Sequence, residues 1–371
     1  MIYLLVFLYI LYAVLIISLA IGFTRVKEFA YKTSTQFTKF TVIIPFRNES
    51  EKLPLLLNSI LELNYNLEFV EFLFIDDASS DNSTEIVANT LKETGINYTI
   101  LKNKRVSNSP KKDAITSAIA VAKNNWIVTT DADCILPKEW LKVFSCFIKE
   151  KQPKMVVAPV NYIVKNTSLE QFQLLDFMSL QATTIGGFGI GVPFLCNGAN
   201  LAYRKDVFLE LHGFKGNTKI ASGDDIFLFE KFKEVYKKKV QFLKSKDAMV
   251  TTFPVTTNSD LINQRVRWAS KTSNLKSIFV KLIGLLIFLI NLSVVLSIFL
   301  SNNLLFILTP IFVKICIDIL LFLPAMNFYS HKKSFYKWYL FSSILYPFFS
   351  VFIVFKSLFY KYNWKGRTFK K

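Results

Sequence analysis

Residues 1–23 are apolar without interruption, long enough to cross a bilayer as a helix. The run lacks a basic leading segment and an obvious small-residue cleavage site, so it reads as an anchor rather than a removed leader. Arg25, Lys27, Lys32 and Lys39 follow it. The positive-inside bias then places the N-terminus outside and the next segment in the cytosol. From Thr41 to about Val250 short apolar runs alternate with amphipathic stretches. Thr41-Val42-Ile43-Ile44, Phe72-Leu73-Phe74-Ile75, Trp126-Ile127-Val128-Thr129 and Met155-Val156-Val157-Ala158 have the length of buried strands. Between them, 51–63 carries apolar residues at Leu53, Leu56, Leu57 and Ile60, a helical spacing, and 111–123 also reads as a helix. This alternation predicts a mostly parallel, doubly wound α/β sheet. In such sheets ligands bind beyond the carboxyl ends of the strands.

After Trp268 the pattern changes. Residues 278–300 and 304–326 are two further spanning segments joined by Ser301-Asn302-Asn303, and 338–358 is a third, interrupted at Pro347. The expected organisation is an N-terminal anchor over 1–24, an α/β domain over 38–255, an interfacial segment over 256–277, and transmembrane helices with a basic tail over 278–371. Four full spans from an outside start would leave the basic tail, 356–371, outside, against the positive-inside bias. Two resolutions are open: a re-entrant hairpin folding back at Pro347, or one segment lying in the interface. Lys314 and Asp318 stand four apart on the middle helix and can pair inside the bilayer, as a structural ion pair or as part of a site.

Composition narrows the partners. Hydrophobic residues make up 52% of the 371, too many for an ordinary soluble enzyme. Lys and Arg number 45 against 27 Asp and Glu, a net +18. In so apolar a chain this charge points to anionic lipid headgroups and an anionic substrate rather than to nucleic acid. Cys134, Cys146, Cys196 and Cys316 form no CxxC, and the only histidines are His212 and His331. A zinc site or disulfide framework is not expected, and reduced thiols fit a cytosolic domain.

Four short acidic or basic groups carry the candidate chemistry. Asp131-Ala132-Asp133 directly follows a strand. Two carboxylates separated by one small residue suit a hard divalent cation whose shell is completed by phosphate oxygens, although an acidic turn has the same sequence. Asp76-Asp77 ends another strand and is followed by Ser79, Ser80, Asp81, Asn82 and Ser83. Its carboxylates can accept from a base N–H or a ribose hydroxyl, while Asp81 or Ser83 can cap a helix through Thr84-Glu85-Ile86-Val87. Pro45-Phe46-Arg47-Asn48-Glu49 closes the first strand with either a nucleotide role or a loop and capping box at Ser50. Gly223-Asp224-Asp225 opens a helix; one aspartate could deprotonate an acceptor hydroxyl, and both could answer the helix dipole. Gln264-Arg265-Val266-Arg267-Trp268 is either a basic helix facing headgroups or a set of cations and an indole for diphosphate and acceptor. Lys111, after Pro110, could reach a diphosphate or start a solvated helix. Gly186-Gly187-Phe188-Gly189-Ile190-Gly191 lacks a P-loop lysine and reads as a mobile loop near the acceptor.

In this order the motifs resemble a membrane-bound family 2 inverting glycosyltransferase with a GT-A (nucleotide-diphospho-sugar transferase) domain. The likeness rests on Asp76-Asp77, Asp131-x-Asp133, Asn197-Gly198-Ala199-Asn200 with Tyr203-Arg204, Gly223-Asp224-Asp225 and Gln264-x-x-Arg267-Trp268, and spans 41–268. The flanking helices and Trp364-Lys365-Gly366-Arg367 are similar to ceramide glucosyltransferase-like members. The resemblance implies an integral protein of a bacterial inner membrane with its catalytic domain cytosolic. It implies a UDP-sugar donor, and a lipid or glycan acceptor presented among membrane lipids. It implies Mg²⁺ or Mn²⁺ at Asp131 and Asp133, and Asp225 as base. It also implies nucleotide-sugar contacts over Pro45, Arg47, Glu49, Asp76, Asp77, Lys111 and Asp131-Ala132-Asp133. Acceptor and diphosphate contacts would come from Asp224, Gln264, Arg267 and Trp268. Two positions depart from the family: Asp224 stands where Glu usually precedes the base, and Pro110 where Gly usually precedes the lysine. A processive polysaccharide synthase shares the Gln-x-x-Arg-Trp pattern, and a non-catalytic membrane scaffold could retain the fold.

Overall fold

The computed structural model describes residues 2–31, 37–218, 220–272, 275–359, 362–365 and 367–369. Lys32 and Gly366, named above, lie outside the described residues, as do residues 1, 370 and 371 of the ranges given there. The helices in chain order are α1 (Ile2–Arg25), α2 (Leu53–Leu61), α3 (Ser83–Leu91), α4 (Pro110–Val121), α5 (Trp140–Lys151) and α6 (Ser168–Gly189). They continue with α7 (Lys205–Glu210), α8 (Asp224–Tyr236), α9 (Asn258–Thr272), α10 (Ile278–Leu300), α11 (Leu304–Phe328) and α12 (Lys332–Phe359). The strands are β1 (Phe40–Phe46), β2 (Val70–Asp76), β3 (Tyr98–Lys102), β4 (Trp126–Thr129), β5 (Met155–Val157), β6 (Val160–Tyr162), β7 (Leu201–Arg204), β8 (Val240–Phe242) and β9 (Val250–Thr252), with a hairpin of β10 (Tyr362–Trp364) and β11 (Arg367–Phe369). The chain divides into an α/β unit, 27–163 with 195–253, and a helical unit, 1–26 with 164–194 and 254–371.

The α/β unit holds a seven-stranded sheet in the order β3-β2-β1-β4-β7-β5-β8. Strands β3, β2, β1 and β4 run parallel, β7 alone opposes its neighbours, and β8 is parallel to β5. The mostly parallel α/β sheet expected from the patterning is therefore present. Every residue of β1 except Pro45 is buried, as the continuous apolar run of a doubly covered strand requires. Proline in a central strand is ordinarily excluded because it cannot donate to a neighbour. Here the exception has a simple cause. β4 pairs with β1 only as far as Ile43, whose carbonyl accepts from Thr130, so Pro45, two residues on, points its nitrogen past the end of that ladder. Because β1, β2 and β4 run the same way, their carboxyl ends bring Arg47, Asp76 and Asp131 to one edge of the sheet.

Among the described residues, the helical unit contains four helices long and apolar enough to cross a membrane: α1, α10, α11 and α12. The re-entrant hairpin at Pro347 is not formed, for α12 continues through that residue. Proline costs one backbone hydrogen bond, which an otherwise apolar helix among neighbouring helices tolerates. The glycine-rich loop is likewise corrected: Gly186, Gly187 and Gly189 belong to α6, which lies against α1. A β-carbon on Gly189 would sit 1.8 Å from the Gly22 carbonyl oxygen, and one on Gly22 would sit 2.2 Å from that of Gly186. Both glycines are there because two backbones meet, the small-residue contact of membrane helices. The amphipathic α9 buries Val266 against Ile353 of α12, flanked by Ile262, Ala269 and Phe349.

Candidate active site

Lys111 is the centre of the polar cluster in the α/β unit. It stands in the first turn of α4, which Pro110 opens at a position where a missing N–H costs nothing. Its Nζ lies 2.6 Å from Asp131 Oδ1 and 3.3 Å from Asp224 Oδ2. Burial alone would push this ammonium down; Asp131 first and Asp224 next outweigh it and hold it well above the ordinary lysine range. A solvated helix start is thus excluded for Lys111, whose side chain is only 19% exposed. The solvated start stood as an alternative because nothing in the local sequence reveals that two distant aspartates face Lys111.

Asp224 and Asp225 open α8 behind Gly223, which caps the helix with a positive φ of 82° and no side-chain bond. The aspartates are therefore not the cap itself. Asp225 accepts from the Ile226 N–H at 2.8 Å and from the Gly198 N–H at 3.2 Å. Gly198 is closely approached: a β-carbon there would lie 3.3 Å from both Asp224 Oδ2 and Asp225 Cβ. Thr129, ending β4, donates to the Gly198 carbonyl at 3.0 Å. The 197–200 segment is fixed from below by buried Asn200, which donates to the carbonyls of Pro159 and Ala248 and accepts from the Trp140 indole at 2.9 Å. Asp131, Lys111, Asp224, Asp225 and Gly198 thus form one connected cluster from four places in the sequence.

Asp133 takes a different partner, Lys52 Nζ at 3.7 Å, in the turn before α2. Ala132 between the two aspartates is buried, which explains the small residue. The Asp133 carbonyl accepts from Thr252. Sequence reasoning did not single out Lys52; its only signal was a lysine in the loop at the end of β1.

The loops after β1 and β2 are stitched together. Asp77 is buried and accepts from Asn103 Nδ2 at 2.8 Å and Arg105 Nε at 2.6 Å. Arg47 donates to the carbonyls of Asp77, at 2.7 Å, and of Ala78. Asp76 accepts the Ser79 N–H at 2.8 Å, and Ala78 between them adopts φ 58°. The Asn48 carboxamide accepts from Ser80, and the Glu49 N–H donates to Ser83 Oγ. The capping box at Ser50 does not form: Lys52 is the N-cap and makes no side-chain bond. The Ser50 N–H donates instead to Asp81, which also accepts from Ser83. Burial would raise the Asp81 carboxyl, but Ser83 and the Ser50 N–H outweigh it and hold it at about 2. Arg105 and Asn103 were missed because they lie beyond β3, far from the aspartate they serve.

A hard cation at Asp131 and Asp133 can be tested against these donors. Among the described residues no group of three or more Asp, Glu, His or Cys converges closely enough to hold an ion unaided. Two carboxylates one residue apart, partly open and each now matched to a lysine, suit an ion whose remaining ligands are phosphate oxygens.

In the helical unit, Gln264, Arg267 and Trp268 lie on α9. The neighbouring Arg265 is the buried member. It donates to Asp176 of α6 at 2.5 Å and to the Gln264 carboxamide, and its guanidinium lies 4.2 Å from the centre of the Trp268 ring. One approach to that indole is therefore taken by Arg265, which the sequence reading had grouped only as a cation.

A mostly parallel sheet with acidic loops at its carboxyl edge places this cluster where α/β folds bind their ligands. Residues 41–211 match the model of glycosyl transferase family 2, and this segment belongs to that family as a glycosyltransferase domain. The chain is similar to the undecaprenyl-phosphate 4-deoxy-4-formamido-L-arabinose transferase of Photorhabdus laumondii, 35% identical over 106 residues, covering 28% of this chain and 32% of that protein. It is also similar to the poly-beta-1,6-N-acetyl-D-glucosamine synthase of Staphylococcus epidermidis, 27% identical over 135 residues, covering 36% and 31%. The match thus spans about a third of the length of either relative. The crystal structure of S. aureus TarS 1–349 in complex with UDP-GlcNAc aligns with a TM-score of 0.44 at 15% identity, covering 89% of this chain and 96% of that one.

Proposed function

We propose that the protein is a membrane-bound inverting glycosyltransferase that moves a sugar from a UDP-sugar to a hydroxyl of a lipid-linked or glycan acceptor. The observation that carries this reading is the cluster joining Asp131, Lys111, Asp224 and Asp225 at the carboxyl edge of a family 2 domain. Asp225 takes the proton from the acceptor hydroxyl, whose oxygen forms the new bond to the anomeric carbon. The bond from that carbon to the diphosphate oxygen breaks on the opposite face, and UDP leaves with the bonding pair. Gly198 and Ile226 hold the Asp225 carboxylate through two N–H donors, so it enters the reaction already oriented. Lys111 sets the positions of Asp131 and Asp224 and supplies positive charge beside the departing diphosphate. Asp131 and Asp133 would hold Mg²⁺ or Mn²⁺, whose charge would offset that of the leaving nucleotide. Pro45, Arg47, Glu49, Asp76 and Asp77 line the nucleotide side, and Gln264, Arg267 and Trp268 serve the acceptor.

The α/β unit faces the cytosol of a bacterial inner membrane in this reading, with α1, α10, α11 and α12 as the membrane segments. The test is Asp225→Asn. General-base removal should lower transfer by about 10²–10⁴-fold while UDP binding persists. Membranes incubated with a panel of radiolabelled UDP-sugars, then extracted for lipid and separated by length, give the readout. Wild-type turnover in Asp225→Asn would refute the role. A ladder of long products instead of one added sugar would favour a processive synthase.

A further inference from the structure

The helical unit holds a partly open cavity of about 100 Å³ among α1, α6, α10, α11 and α12, its wall mostly apolar with polar groups set into it. Each helix contributes a polar group: Tyr12, Asp176, Asn291, Lys314 with Asp318, and Ser342. Lys314 and Asp318 form the ion pair expected from their spacing, and Tyr12 donates to the same Asp318 carboxylate. Two oxygens on the wall remain unmatched. Asn291 and Ser342 are buried; Asn291 Nδ2 donates to the Ile287 carbonyl at 2.8 Å, but neither Asn291 Oδ1 nor Ser342 Oγ has a hydrogen-bond partner among the described residues. Buried polar oxygens in helices otherwise this apolar ordinarily find a partner. The volume exceeds what one water needs, about 10–15 Å³.

Charge decides what fits. The ionised groups on the wall are one ammonium, Lys314, already paired, and two carboxylates, Asp318 and Asp176. Asp176 is matched by Arg265. A phosphate would meet two carboxylates with no uncommitted cation, and an added cation would displace Lys314. A neutral group offering hydroxyls meets donors and acceptors on all five helices. We infer that this cavity binds the uncharged, hydroxyl-bearing head of a membrane lipid. Asp176 ties the occupant to the helix of Gln264 and Trp268 through a single residue, Arg265.

The test compares two lipids with identical tails. The full-length chain in phosphatidylcholine nanodiscs is titrated with tritiated 1,2-dioleoylglycerol, with no sugar nucleotide present. Binding should saturate at a single molecule per chain, and dioleoyl phosphatidic acid should compete at least tenfold more weakly than unlabelled dioleoylglycerol. Asn291→Leu and Ser342→Val should each weaken binding about tenfold, the loss expected for one buried hydrogen bond. The wild-type comparison needs no variant, so a misfolded variant does not obscure the result. Equal or stronger competition by phosphatidic acid, unsaturable uptake, or folded variants that bind as wild type would overturn the assignment. UDP-sugar transfer does not enter this measurement, so failure of the transferase reading would be seen separately.

Discussion

Replacing Lys111 by methionine should be the most informative change in the α/β unit. Methionine preserves length and apolar stem but removes the ammonium that Asp131 and Asp224 share at 2.6 and 3.3 Å. The two carboxylates differ in what they lose. The Asp131 side chain is 38% exposed and recovers solvation, so its share is heavily screened; that of Asp224 is 12% exposed and stays largely dry. A hydrogen bond to a charged group contributes about 1.5–3 kcal/mol, and stranding a fully buried partner costs about 3–5 kcal/mol. One screened and one largely buried contact place the net loss near 2 kcal/mol, roughly thirtyfold in the local folding equilibrium. Hydrogen exchange at the start of α8 measures it. The same substitution leaves Asp131 and Asp224 without a shared cation, so Mn²⁺ should bind the UDP-free variant more tightly than wild type, read by electron paramagnetic resonance. On the proposed mechanism turnover should nonetheless fall, because the charge it assigns to the departing diphosphate is gone. Unchanged exchange at α8 together with unchanged Mn²⁺ affinity would refute the idea that Lys111 organises this cluster. Lys111→Arg, which keeps the charge in a larger planar head, should fall between the two.

Other changes probe the same architecture. Gly198→Ala places a methyl 3.3 Å from Asp225 Cβ, a contact relieved by a shift of a few tenths of an ångström; on the proposed mechanism kcat should fall about tenfold, with UDP affinity near wild type by calorimetry. Gly189→Ala would drive a methyl into the Gly22 carbonyl, so the α1–α6 contact must open; a loss of about 1–3 kcal/mol should appear as a lower unfolding midpoint in detergent. Asp81, held at about 2, contributes stability to the Ser50–Ser83 loop that is complete above the unfolded carboxylate value and is lost as pH falls towards 2. Amide exchange at Ser50 should therefore accelerate on acidification in wild type, and Asp81→Asn should flatten that dependence.

What the sequence made legible follows the range of the forces involved. The strands of the parallel core were readable because burial on both faces writes a continuous apolar run, and Phe72-Leu73-Phe74-Ile75 has no other use. The positions of Asp76-Asp77 and Asp131-Ala132-Asp133 followed from that, since parallel strands end at a common edge. The glycines at 186–189 were misread because composition alone does not separate a flexible loop from a close helix crossing. Only the approach of Gly22, more than 160 positions earlier in the chain, makes the distinction. Pro347 misled in the opposite direction: its cost is local, while the packing that absorbs it is not. The pairings of Lys52 with Asp133, Arg105 with Asp77 and Arg265 with Asp176 each join separate loops or helices. Charged side chains of this kind look solvated in any short window, and their partners are chosen by topology. The motif arginine shows the point most sharply. Arg267 fits the pattern that caught attention, yet Arg265 is the one whose burial against Asp176 and Trp268 fixes the segment.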